Sequence, residues 1–97
     1  MLFGNQPVEQ AIALGNRLKS LRLQRNLTQA SLAKRAGISR PTLGALERGG
    51  RATIETLARV MYVLGREAEL DELLKPDPPA SLDEFLDPPT RKRARPT

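Results

Sequence analysis

Cysteine, histidine and tryptophan are missing from this 97-residue chain, and each absence closes off a class of chemistry. Without cysteine there is no disulfide framework, and without cysteine or histidine there is no Cys/His zinc site. Lack of histidine also removes the commonest general base. No other nucleophile–base pair or metal constellation is apparent, so no enzyme, cofactor or metal is expected. One Tyr and two Phe are too few for the base-stacking platforms that hold single strands or RNA. No apolar run is long enough for a membrane span, and the N-terminus lacks a basic segment followed by an apolar stretch. The basic Arg91–Arg95 tail has no apolar anchor beside it. A cytoplasmic protein with no membrane partner is the expectation.

The chain also lacks strand-period alternation and internal repeats, and what remains is helical spacing. Met1–Gln6 should be disordered. From about Pro7 an apolar series, Ile12, Leu14, Leu18 and Leu21, runs to a stop at Asn26. Thr28 is placed to N-cap a second helix with Leu32, Ala33 and Ala36 inward, and Gly37 to end it in the left-handed conformation. Ser39 caps a third helix, with Pro41 in its first turn and Leu43 and Leu46 at helical spacing. Two short helices joined by a glycine turn describe a helix-turn-helix, whose second helix enters the DNA major groove. Thr53 caps a fourth helix with Ile54, Leu57, Met61 and Leu64 as its apolar stripe, ended by Gly65. A fifth, about Glu67–Leu74, is expected to bury Leu70, Leu73 and Leu74, with its four acids near the positive end of its dipole. The expected fold is therefore all-α, with five helices in one domain over residues 7–75.

Residues 76–97 differ in kind. Five prolines between Pro76 and Pro89 break any long element. Between them SLDEFL has capping-box spacing at Ser81 and Glu84, with Leu82, Phe85 and Leu86 able to share one face. This acidic, Pro-rich segment and the basic end are expected to be largely disordered unless a partner orders them.

Charge is unevenly placed along the chain. The net charge is +5, yet residues 17–66 hold eleven Lys and Arg against two acids, whereas residues 67–89 hold one Lys against eight acids. The basic excess coincides with the helix-turn-helix, which is the electrostatic footprint of a polyphosphate binder.

The segment LGNRLKSLRLQRNLTQASLAKRAGISRPTLGALERGGRATIETLARVMYVLG resembles the Cro/repressor-type, or Xre-like, helix-turn-helix domain over roughly residues 14–65. The phrases that carry the resemblance are RLKSLR, L-T-Q-x-x-L-A, A-G-I-S and L-x-x-L-E-R-G. It implies a five-helix, lambda repressor-like fold that binds double-stranded DNA. By the same resemblance, Gln29 matches a position that holds a DNA phosphate, which suits a helix N-terminus. Arg40, Pro41, Thr42, Gly44 and Ala45 match the groove-facing side of the recognition helix, beside the cap Ser39. Arg40 is either a guanine reader or a phosphate contact, and Thr42 either a phosphate or a thymine-methyl contact. The family's usual Gln or Asn readers are replaced here by Pro41, Gly44 and Ala45, which shifts the burden toward Arg40, apolar contact and DNA shape. Arg22 and Glu47 match a structural salt bridge between the first and third helices. Arg17, Lys19, Arg48 and Arg51 are phosphate candidates.

A single copy reads too few base pairs for useful selectivity, so a homodimer on a near-palindromic operator is expected. Tyr62, Val63, Leu70 and Leu73 are the candidate dimer surface, or else they complete the monomer core. The resemblance leaves two roles open. One is a stand-alone or phage-type repressor. The other, favoured by the small size and the 76–97 extension, is a HipB-like antitoxin in a prokaryotic, nucleoid-associated setting. Such a protein represses its own operon and binds a HipA-like kinase toxin, here through Leu82, Phe85 and Leu86.

Overall fold

Three hydroxyl side chains set where the middle helices begin. In the computed structural model, which describes residues 5–79, Thr28, Ser39 and Thr53 each hold extended backbone angles. Their side-chain oxygens accept a hydrogen bond from the N–H three residues on, at Ser31, Thr42 and Thr56. They open α2 (Gln29–Ala36), α3 (Arg40–Gly49) and α4 (Ile54–Val63), preceded by α1 (Gln6–Gln24) and followed by α5 (Glu67–Glu72). The described residues are thus all-helical, with five helices and no strand.

Helix ends follow an equally local rule. Asn26, Gly37 and Gly65 all have positive φ, and at each the next residue's N–H reaches back to a carbonyl five residues earlier. That is the Schellman closure, which satisfies carbonyls a helix would otherwise leave open. α1 begins at Gln6, earlier than Pro7, because a proline in the first turn lacks only an N–H that has no helical partner there.

The core is built from one face of each of the first four helices. Leu18, Leu32, Ala33, Ala36, Leu43, Leu46, Val60 and Leu64 are buried together, with Leu21, Leu27, Ile38, Leu57, Met61 and Val63 packed around them. Fully burying a side chain such as Leu32 or Leu43 contributes about 1.5–3 kcal/mol. α1 packs chiefly against α3, and α4 against α2 and α5. The α1–α3 seam is backbone-close. A Cβ added at Gly15 would overlap the Leu46 carbonyl, and one at Gly50 the Ala11 carbonyl.

Three apolar expectations are corrected by this packing. Ile54 is 77% exposed: it is the first residue of α4, and the helix meets the core only from Leu57 onward. Leu73 and Leu74 are also exposed, Leu74 at 92%, and of the three leucines assigned to the fifth helix only Leu70 is even half-buried. α5 stops at Glu72, because Asp71 and Glu72 place negative charge at the negative end of the helix dipole and Leu74 turns left-handed. Only Glu67 and Glu69 of its four acids therefore occupy the first turn.

Candidate nucleic-acid interface

The second helix of the turn is fixed from behind. Leu43, Leu46 and Glu47 are buried on one side of α3, while Arg40, Pro41 and Arg48 are exposed. Arg22 on α1 donates to both oxygens of the Glu47 carboxylate, Nε at 2.7 Å and Nη2 at 3.1 Å, and its Nη1 donates to the Leu27 carbonyl at 2.8 Å. This bidentate fork is the pairing guanidinium geometry favours. The ion pair between the first and third helices is therefore present and buried.

Gln29 completes the same network. Its Nε2 donates to Glu47 Oε1 at 3.0 Å, so the side chain at the N-terminus of α2 is tied to α3. Sequence reasoning placed Gln29 at a phosphate but did not see this bond, which depends on tertiary placement across eighteen residues. Around Glu47 and Gln29 lies a shallow recess also lined by Asn16, Lys19 and Arg48. Asn16, three residues before Lys19 on α1, lines this recess without having been singled out by the sequence. A second recess, formed by Ala45, Arg48, Gly49 and Arg51, adjoins it through Arg48.

Lys19, Gln29, Ala45, Arg48 and Arg51 are thus gathered along α3, and Ser39, Arg40, Pro41 and Thr42 form its N-terminal end. The Ser39 hydroxyl is occupied as a cap and is also 2.7 Å from Thr42 Oγ1. Gly44 is buried rather than open, because the Arg48 guanidinium lies over it; a Cβ there would be 2.9 Å from Nη1. Arg17 is not part of this gathering. It lines a largely apolar groove with Leu14, Leu18, Leu21 and Met61, between α1 and the α4–α5 pair.

Not all of the basic excess faces outward for a ligand. Arg59 donates to Glu55 at 2.9 and 3.1 Å and reaches the Ala36 carbonyl at 3.4 Å, steadying the turn from behind. Arg66 is paired with Glu69, whose hydrogen bond and then charge raise the guanidinium pKa above its ordinary value. The cations left along α3, Lys19, Arg40, Arg48 and Arg51, have no carboxylate partner among the described residues.

A family model described as helix-turn-helix matches residues 18–70, a span that contains α2, α3, α4 and the intervening turn. The chain belongs to the Cro/repressor-type helix-turn-helix family. As a member of that family it is a DNA-binding regulator of transcription. No curated protein matches the chain. Among the described residues, no helix is long and apolar enough to cross a membrane.

Proposed function

We propose that this helix-turn-helix protein reads a near-palindromic DNA operator as a homodimer and represses the promoter that contains it. The observation that carries this reading is the division of α3. Its buried side is locked by Arg22, Gln29 and Glu47, while Arg40, Pro41 and Arg48 stand exposed beside Lys19 and Arg51, which have no carboxylate partner among the described residues. An exposed helix surface in that setting suits the major groove, with the flanking cations on phosphates. Ser39, Thr42 and Gln29 would supply neutral hydrogen bonds to the backbone, and Arg40 would contact guanine or phosphate at the entering end. Arg17, across the domain from this surface, is withdrawn from the phosphate contacts.

Dimerisation is the economical way to double a short half-site, and Tyr62 supports it. This side chain, on α4, is 71% exposed, and Leu73 is exposed beyond α5. Val63 and Leu70 are half-buried and would form the shoulder of such an interface. Footprinting on the DNA upstream of the protein's own gene tests the whole reading. Two protected half-sites whose centres are about 34 Å apart are expected; no protection of any promoter segment would overturn it.

The antitoxin role is favoured by sequence features of residues 76–97, where Leu82, Phe85 and Leu86 lie outside the described residues. In that role the acidic, proline-broken segment would bind a HipA-like kinase while the helical domain holds the operator. Co-purification of such a kinase with the full chain, lost on truncation after Lys75, is the expected result. A kinase that binds the truncated chain equally well would remove the segment from this role.

A further inference from the structure

The middle of the recognition helix contains no residue of its own that reads bases well. Pro41 has no side-chain donor, Gly44 has no side chain, and Ala45 has a methyl group only. Yet this surface is not bare. Arg48 stands one turn further along α3, and helical side chains lean toward the N-terminus, so its guanidinium falls back onto Gly44. A larger residue at 44 would push the guanidinium off this position. A Cβ at position 44 would be 2.9 Å from Arg48 Nη1 and 3.9 Å from its Cζ; apart from its chain neighbours and the helix backbone, no other atom of the described residues lies within 4 Å. Gly44 has ordinary helical geometry, with no positive φ to demand glycine, and a mid-helix glycine destabilises the helix relative to alanine.

From this we infer that Arg48 is a base-reading residue of the recognition helix, and that Gly44 is the positioning residue that seats it. The inference rests on the DNA-binding reading above. The guanidinium lies over Gly44, half-way along α3, and borders the recesses on both sides of that helix. It has no carboxylate or carbonyl partner among the described residues, so its donors remain available for a ligand. Its planar fork matches O6 and N7 of guanine, and the absence of side chains at 44 and 45 leaves room for it to lie against a base pair. The specificity-determining chemistry is thereby moved from the middle of the helix to a residue one turn later.

Selection of binding sites from random duplexes by the full chain tests this, with wild type, Arg48→Ala and Gly44→Ala run in parallel. Both variants should lose preference at the same position of each half-site, a guanine in the wild-type site, while preferences elsewhere persist. Affinity for a single half-site should fall roughly 5- to 150-fold in Arg48→Ala. Gly44→Ala should melt a few degrees above wild type, because the added methyl favours the helix and displaces only a flexible side chain. A gain in stability combined with a loss of base preference is a result that a merely structural glycine does not give. Arg48→Ala weakening all duplexes equally would make it a phosphate contact and overturn the inference. Gly44→Ala keeping the wild-type preference would overturn it too. Wild-type protein that binds duplex but enriches no sequence defeats the inference alone, whereas failure to bind any duplex defeats the DNA-binding reading itself.

Discussion

Arg22 and Glu47 are twenty-five residues apart in sequence and 2.7 Å apart in the folded chain, with both side chains buried. The pair joins α1 to the recognition helix, and Gln29 brings α2 to the same carboxylate. A carboxylate with three donors from two other elements fixes the rotation of α3 about its own axis. That rotation decides which side chains meet DNA.

Removing the cation should therefore be costly. Arg22→Ala leaves Glu47 buried without its charge partner and is expected to destabilise the domain by about 3–5 kcal/mol in urea denaturation. A loss below about 1 kcal/mol would mean that the carboxylate escapes to solvent and that α3 does not depend on the pair.

Gly15→Ala sets two effects against each other. Helix propensity favours alanine by about 1 kcal/mol. The Leu46 carbonyl already occupies the space of the new methyl group, and it is backbone, which cannot swing aside. Overpacking should win, with a net loss of about 1–3 kcal/mol and a lower melting temperature. A variant that melts higher would show that α1 can lift off α3 at little cost.

The caps separate stability from binding. Thr53→Ala and Ser39→Ala should each cost about 1 kcal/mol, since each hydroxyl accepts one otherwise open N–H. Thr53 starts α4, and its loss should leave operator affinity within about twofold once folding is complete. Ser39 starts α3 beside Arg40, and its loss should weaken the operator complex as well. Equal effects of the two on DNA affinity, measured by anisotropy, would separate the Ser39 end from the binding surface.

Salt titration isolates the cations. In a dimer each substituted phosphate contact is lost twice, so Lys19→Ala should reduce the slope of log affinity against log salt by about 2. Arg17→Ala should leave the slope unchanged, because Arg17 lines the groove toward α4 and α5. A reduced slope in Arg17→Ala would place DNA against that side of α1.

Tyr62→Asp puts a charge on the exposed side of α4 without touching the buried residues of the core. Sedimentation should show monomers at concentrations where wild type is dimeric, and binding to a two-half-site operator should fall more than binding to one half-site. An unchanged sedimentation coefficient would remove Tyr62 from the interface.

Much of this molecule was legible from its sequence, and the boundary of that legibility has a physical basis. Thr28, Ser39, Thr53, Asn26, Gly37 and Gly65 act on backbone groups within a few residues, so type and position alone predict them. The inward leucines of α2 and α3 were legible because a short helix with one buried side leaves little choice. Ile54, Leu73 and Leu74 were misplaced because periodicity does not say where a neighbouring helix ends. The Gln29–Glu47 bond, the Gly15 and Gly50 contacts and the seat of Arg48 on Gly44 join groups through space. None of these is visible in spacing; the Arg22–Glu47 pairing, which also joins groups through space, was expected from resemblance alone.

The recognition helix is gripped by its back and by its ends: Leu43, Leu46 and Glu47 in the core, the Ser39 cap at one end, the glycine seam at the other. The residues that hold the fold and the exposed ones proposed to read DNA are consequently different members of the same ten-residue segment. Under the reading proposed above, exchanging Arg40, Pro41, Ala45 and Arg48 in combination should redirect the protein to another operator while the domain keeps its stability, which would make α3 a replaceable reading head on a permanent mount.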